Sequence, residues 1–393
     1  MKIYIVGIGM DGSRSLTQQA ITVIRQADIL IGAKRMLEPF HSLQKPMFTS
    51  YQPQEIADFL RENAYENPVI LMSGDCGFFS GATPLLSKLN GIDTEIICGI
   101  ASPVYFSSRI GIPWQDMHFF SLHGQNNLNL IRTVCRNRCC FFLLDHQNTS
   151  AAVCRKLSRF GLGQISVFIG ENLSYPSEQI YSGTADELKD LETQPLTVMV
   201  TVNPDYEQSI PSGIPDDKFT RGNVPMTKSE IRAAVIAKLS IPSHAVCWDI
   251  GAGTGSVSVE MAMQAYEGTV FAIDQNEEAA MLVTENAVKF GCDNITVLHA
   301  QAPDCLRELP PPDIVFIGGS CGTMREIRDI VKQKNPNAAV LVTAVTLETL
   351  EQTGKLLRDP EITQIAVTRT RKVGSHTMFH AENPIFIIKG AFT

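Results

Sequence analysis

Apolar residues along this chain gather in short continuous runs, separated by stretches where they recur every third or fourth position. Through the first half the runs are KIYIV, DILIG, PVILMSG, TEIICGI, MHFFSL, CCFFLLD, QISVFIG and LTVMVTV. Runs of this length read as buried strands, and the intervening SLTQQAITVIRQA and NTSAAVCRKLSRFG carry helical spacing. The second helix has Asn148, Thr149 or Ser150 as its cap and stops at Gly161. Such alternation predicts an α/β architecture. The pattern lapses over NPDYEQSIPSGIPDD, where turn formers take over, so a linker at 206–217 is expected between domains 1–205 and 218–393. Beyond it the alternation resumes: a helix over 229–239, AVCWDIG, VSVEMAMQAY, TVFAID, EEAAMLVTENAVKFG, ITVLHA, DIVFIGG, AAVLVTAV, EITQIAVTRT and PIFIIKG. That order suits a doubly wound, Rossmann-like sheet. PMTKSEIR fits a capping box, with Thr227 as cap and Glu230 reaching back.

Composition narrows the class. With 393 residues, 44% hydrophobic and 19% charged, the chain is long enough for two ordinary cores. The net charge of −8 is shared evenly, since 17 of the 33 cations and 21 of the 41 acids lie from residue 216 onward. Neither half carries the broad basic face that a nucleic acid requires, so no such partner is expected. No apolar run approaches the roughly 18 residues of a membrane span, and MKIYIVGIGMDG reads as a first strand rather than a signal peptide. A cytoplasmic protein is expected. The ten cysteines lack paired C-x-x-C spacing and mostly sit in apolar runs, although Cys76, in a polar loop, is placed to line a pocket. His376 and His380 have helical metal-ligand spacing, but their flanks read as turn and strand, so no metal site is expected.

Two glycine turns carry the candidate chemistry. In WDIGAGTG, Asp249 closes a buried strand and the run Gly251, Ala252, Gly253, Thr254, Gly255 lets a ligand approach the backbone. The next strand ends in Asp274, whose carboxylate can accept from two ribose hydroxyls, which points to an adenosine-containing ligand. G-x-G-x-G beside an acid suits S-adenosylmethionine better than a dinucleotide, whose pyrophosphate calls for G-x-G-x-x-G and a helix N-terminus. The first turn, VGIGMDG, does match that spacing through Gly7, Gly9 and Gly12, yet the following strand ends in Gly32 and leaves no acid for the ribose.

The second half, from about 218 to 390, resembles the decarboxylating carbon-15 methyltransferases of cobalamin biosynthesis through RGNVPMTKSEIRA, WDIGAGTGSVSVE, AIDQN, QAPDCL and FIGGSCG. The resemblance implies a Rossmann-like class I methyltransferase with Gly251 to Gly255, Asp274, Ala302, Gly318 and Gly319 around the methyl donor. Met226, Thr227 and Lys228 would stand at the substrate mouth, with Arg221 adding positive charge nearby. Residues 1 to about 203 resemble the tetrapyrrole methylases through VGIGMDG, LMSGDCGFFSGA, GIASPVYFSSRIGIPWQDMHFFSLHG and LTVMVTVNP. That likeness implies two α/β subdomains with a donor folded between them, near Gly9, Gly74, Asp75, Ser102 and Pro103. Met10 and Cys76 stand where that family commonly has proline. His123 in SLHG either contacts substrate or caps a loop.

The two segments in this order resemble the fused precorrin-6Y methyltransferases. The resemblance implies one S-adenosylmethionine per domain, methylation of an anionic corrin precursor at carbons 5 and 15, loss of carbon dioxide from an acetate side chain, and a homo-oligomer. A substrate bearing carboxylates needs cationic anchors, and alternation in VTRTRKVGSH puts Arg369 and Arg371 on one face. A solvated charged edge strand is the competing reading of that segment. Two other functions fit less of the sequence: an RNA or protein methyltransferase with an accessory domain, and a non-enzymatic donor-binding module.

Overall fold

The computed structural model describes residues 1–12, 14–123 and 129–393. Contacts group the described residues of 1–125, 139–155 and 164–203 into one unit and those of 126–138, 156–163 and 204–393 into a second. In the first unit, β1 (Ile3–Gly7), β2 (Ile29–Gly32), β3 (Met47–Thr49), β4 (Pro68–Met72) and β5 (Thr94–Ile97) form a sheet in the order β3-β2-β4-β1-β5. Every pairing in it is parallel, which accounts for the unbroken apolar runs: such strands are covered on both faces. A second sheet of the same unit runs β6-β7-β10-β8-β9, from β6 (His118–Ser121), β7 (Cys139–Leu143), β8 (Ser166–Glu171), β9 (Gln179–Thr184) and β10 (Thr197–Val202). Here only β6 and β7 are parallel. Both expected helices form: Thr17 accepts from Ala20 N at 3.1 Å to cap Gln18–Gln26, and Thr149 accepts from Ala152 N at 3.2 Å at the start of Ser150–Arg159.

The second unit is built on a seven-stranded sheet, β13-β12-β11-β14-β15-β19-β16. Its strands are β11 (Val246–Ile250), β12 (Thr269–Asp274), β13 (Ile295–His299), β14 (Ile314–Ile317), β15 (Ala339–Ala344), β16 (Leu357–Ile365) and β19 (Ile385–Phe392). The first five in spatial order are parallel, while β19 runs antiparallel to both β15 and β16. EITQIAVTRT, expected as a single strand, divides between β16 and β17 (Thr368–Val373), and β17 pairs with β18 (His376–Ala381) as a separate two-stranded hairpin. Chain order reverses between β11 and β14, and a ligand crevice belongs outside the carboxyl ends of strands at such a reversal.

One local expectation is corrected. The helix forms at Ser229–Leu239, but Thr227 is not its cap: Lys228 takes that place without a side-chain bond. Glu230 instead bonds the Arg369 guanidinium from β17, a partner that local sequence cannot reveal. Within the segment expected as a linker, Gly213 N and Ile214 N donate to the Glu260 carboxylate at 2.8 and 2.9 Å. Glu260 and Arg232 are both fully buried and paired, and Arg232 also reaches the carbonyls of Ile214 and Thr227. A buried charge without its partner is costly, so this pair fastens both segments to the helices Ser229–Leu239 and Ser256–Gln264 that carry it.

Candidate functional site

At the carboxyl ends of β11 and β14 lies a cleft of about 230 Å³, lined in part by Gly251, Gly253, Asp274, Ala302, Gly318 and Gly319. Gly251 has φ +77°, and a Cβ there would stand 2.7 Å from Gly319 N, so only glycine allows the two loops to approach. Four of the turn's five N–H groups are already in use. Gly251 and Ala252 donate to Ile273 O, Gly255 to Ala252 O, and Gly253 to Asp274 Oδ2. A phosphate would need those donors, so the turn offers no phosphate cradle. Asp274 is held by one bond to each oxygen, from Gly253 N and Asn276 N, both at 2.9 Å, and it lines the cleft. A carboxylate has about four acceptor sites, which leaves capacity for vicinal hydroxyls. The arrangement fits the adenosine end of a donor that carries no phosphate.

Other expected residues take supporting places. Ala252 and Thr227 line the cleft, whereas Asp249, Thr254 and Gly255 do not. Asp249 is fully buried behind it, accepts from Ser258 Oγ through Oδ2, and has no partner for Oδ1. Burial, opposed by the Ser258 bond and aided by the nearby Asp274 charge, pushes its carboxyl up to about 7. Thr254 is buried, with its carbonyl bonded by Asn286 Nδ2. Sequence reasoning missed Gln275 and Cys321, which line the cleft and bond each other.

Next to Thr227 in the chain, Lys228 faces a separate groove shared with Ile231, Arg369, His380, Glu382 and Asn383. Arg369 is not a free anchor there. It pairs with Glu230 and lies 3.7 Å from Glu382, and the Arg369 bond holds the Glu230 carboxyl down at about 2. Arg371 and Arg221 are exposed, and Met226 packs on the core beside the helix Ser229–Leu239.

The first unit has its own cleft, about 520 Å³, between its two sheets, within the roughly 300–1,000 Å³ of small-molecule sites. Ser102 and His123 line it, together with Met10, Arg35, Phe79 and Tyr175. Gly9, Gly74, Asp75 and Pro103 are not among its lining residues. Gly9 and Gly74 exchange backbone bonds at 3.1 and 2.7 Å, and a Cβ on Gly99 would meet Gly74 O at 2.2 Å. The Asp75 carboxylate accepts from Gly77 N and Gly99 N at 2.8 and 2.9 Å. These residues close-pack the strand ends beside the cleft, and Gly9 N has no free valence for a pyrophosphate. Cys76 is a core residue, with its thiol pushed up to about 12 by burial. His123, placed by sequence at substrate or loop, stands exposed at the cleft.

The strand order of the second unit and the acid-lined cleft at its reversal define a Rossmann-like methyltransferase of class I. Comparison with known proteins carries this further. A family model for precorrin methyltransferase domains matches residues 217–390, and one for tetrapyrrole (corrin/porphyrin) methylases matches residues 2–189. The chain is 42% identical over 183 residues to a Pyrobaculum calidifontis protein named probable cobalt-precorrin-6B C(15)-methyltransferase (decarboxylating), covering 45% of this chain and 94% of that one. It is 26% identical to a precorrin-6Y C(5,15)-methyltransferase [decarboxylating] of Sinorhizobium sp. over 88% of this chain and 84% of the relative. A solved precorrin-6Y C5,15-methyltransferase structure from Geobacter metallireducens is 37% identical and covers 46% of this chain and 97% of that one, with a TM-score of 0.43. This chain belongs to the precorrin methyltransferases, with a tetrapyrrole methylase segment ahead of the precorrin methyltransferase segment.

Proposed function

We propose that the chain is an S-adenosylmethionine-dependent enzyme that methylates precorrin-6Y, or its cobalt form, at carbons 5 and 15 and removes carbon dioxide from an acetate side chain. The first unit carries the carbon-5 transfer and the second the carbon-15 transfer with decarboxylation, each with its own donor. The observation that carries this reading is the second unit's cleft: its glycine turn spends four of its five N–H groups internally, while Asp274 faces the cavity. That combination suits a phosphate-free adenosine ligand. S-adenosylmethionine, when bound, supplies an electrophilic methyl group on sulfur.

The attacking carbon belongs to the electron-rich macrocycle, so the chain needs no nucleophile of its own. Its residues orient and exclude water, and alignment alone accounts for much of the barrier lowering. Asp274 and the turn Gly251–Gly253 hold the adenosine end. Thr227 and Lys228, adjacent in sequence, each face a different depression, and this bridges the donor cleft to the groove containing Arg369. In that groove Lys228 orients the acetate carboxylate, beside an Arg369 already paired with Glu230. As its C–C bond breaks, the electron pair passes into the conjugated ring and carbon dioxide leaves.

Mass spectrometry after incubation of the full chain with precorrin-6Y and donor tests this. The expected product has gained two methyl groups and lost one carbon dioxide. Asp274→Ala is expected to stop carbon-15 methylation and decarboxylation while carbon-5 methylation continues. Loss of both methylations in that variant contradicts the division of labour.

A further inference from the structure

Arg35 is the unexplained charge of the first unit's cleft. It lies between β2 and β3, is half-buried and lines the cavity between the two sheets. Its hydrogen-bond partners are neutral: Nη1 donates to Tyr175 Oη at 2.9 Å and to Met10 O at 3.4 Å, and Nη2 to Ser73 Oγ at 3.2 Å. Among the described residues it forms no ion pair. Arg109 of the same unit, by contrast, is matched by Glu178 at 3.0 Å. A guanidinium drawn partly out of water without a counter-ion is unfavourable unless an anion completes it.

The surroundings are built to hold that side chain still. Tyr175 Oη, which accepts from Arg35, donates to Met10 O at 2.8 Å, so the three groups close a small network. Tyr175 is presented by a turn in which Asn172 and Ser174 both adopt positive φ, +48° and +70°. Across the same cavity Phe79, 54% exposed, also has a positive φ of +44°. Non-glycine residues held in this region mark places where surrounding structure imposes a geometry, and such places concentrate at ligand sites. Three neutral oxygens fix one side of the fork, and the remaining N–H groups of a five-donor guanidinium are left for a carboxylate.

We infer that Arg35, positioned by Tyr175 and Ser73, is the carboxylate-binding residue of the first unit's cleft. The carboxylate belongs either to a side chain of the macrocycle or to the amino-acid end of the methyl donor, and the test separates the two. The inference rests on the first unit being the carbon-5 methyltransferase. It adds a residue that none of the sequence motifs contains.

The test is steady-state kinetics of carbon-5 methyl transfer by the full chain, with precorrin-6Y and S-adenosylmethionine varied separately. In Arg35→Met, one of the two KM values is expected to rise roughly tenfold to a hundredfold, with kcat much less affected. Arg35→Lys, which keeps the charge without the fork, is expected to fall between Arg35→Met and wild type. A rise for precorrin-6Y assigns the macrocycle carboxylate, and a rise for the donor assigns its own. Both KM values staying within about twofold of wild type in Arg35→Met overturns the inference. No carbon-5 product from the wild-type chain overturns the reading of the first unit's activity instead, so the two failures are distinguishable.

Discussion

Asp249 sits one layer behind the second unit's cleft, with one oxygen on Ser258 and the other without a partner. Its folded-state carboxyl is raised from 3.8 to about 7. Between those values the folded chain keeps a proton that the unfolded chain has released, so stability falls as pH rises through that window and is lowest above it. In urea unfolding of the ligand-free chain, Asp249→Asn is expected to flatten this decline and to equal or exceed wild-type stability near neutral pH. An unchanged pH slope contradicts the assignment. Positive charge on a bound donor favours the ionised carboxylate, so donor binding near pH 6 is expected to release a proton in wild type and none from this site in Asp249→Asn, as read by calorimetry in buffers of different ionisation enthalpy. Gly251 and Asp274 were legible in sequence because each requirement is local: a left-handed φ under a crowded loop, and an acid at a strand end. Arg35, Tyr175 and Cys321 were not, since they reach their clefts only through chain topology.

Among the elements, strands were read most reliably, because parallel sheets covered on both faces leave unbroken apolar runs. Helix starts were less uniform. Thr17 does cap Gln18–Gln26, whereas the equally suggestive Thr227 does not cap Ser229–Leu239, because Glu230 is drawn to Arg369 of β17. Thr17→Ala is therefore expected to cost about 1 kcal/mol in urea unfolding, as removal of a side-chain cap usually does, and Thr227→Ala under about 0.5 kcal/mol. Equal losses from the two substitutions contradict the observed caps. The glycine turns show the same limit at the scale of loops. Both have permissive backbones, yet one borders the donor cleft while Gly9, Gly74 and Gly99 serve backbone packing beside theirs. Spacing alone does not distinguish these uses, because the difference lies in which carbonyls consume the N–H groups.

Across the whole molecule, the chain carries two α/β units with separate clefts, one between the paired sheets of the first unit and one at the strand reversal of the second. In the sequence, the lapse in periodicity marks a boundary near residue 203. It gives no sign of the finer grouping, in which the described residues of 126–138 and 156–163 join the second unit while their chain neighbours belong to the first. Among the described residues no helix is long and apolar enough to cross a membrane. On the proposed reading, housing both transfers on one polypeptide raises the effective concentration of the intermediate at the second site. The central claim is that each unit holds its own methyl donor. Isothermal titration of the full chain with S-adenosylmethionine tests it most directly: two sites per chain are expected, falling to one in Asp274→Ala, whereas a single site in the wild-type chain contradicts the account.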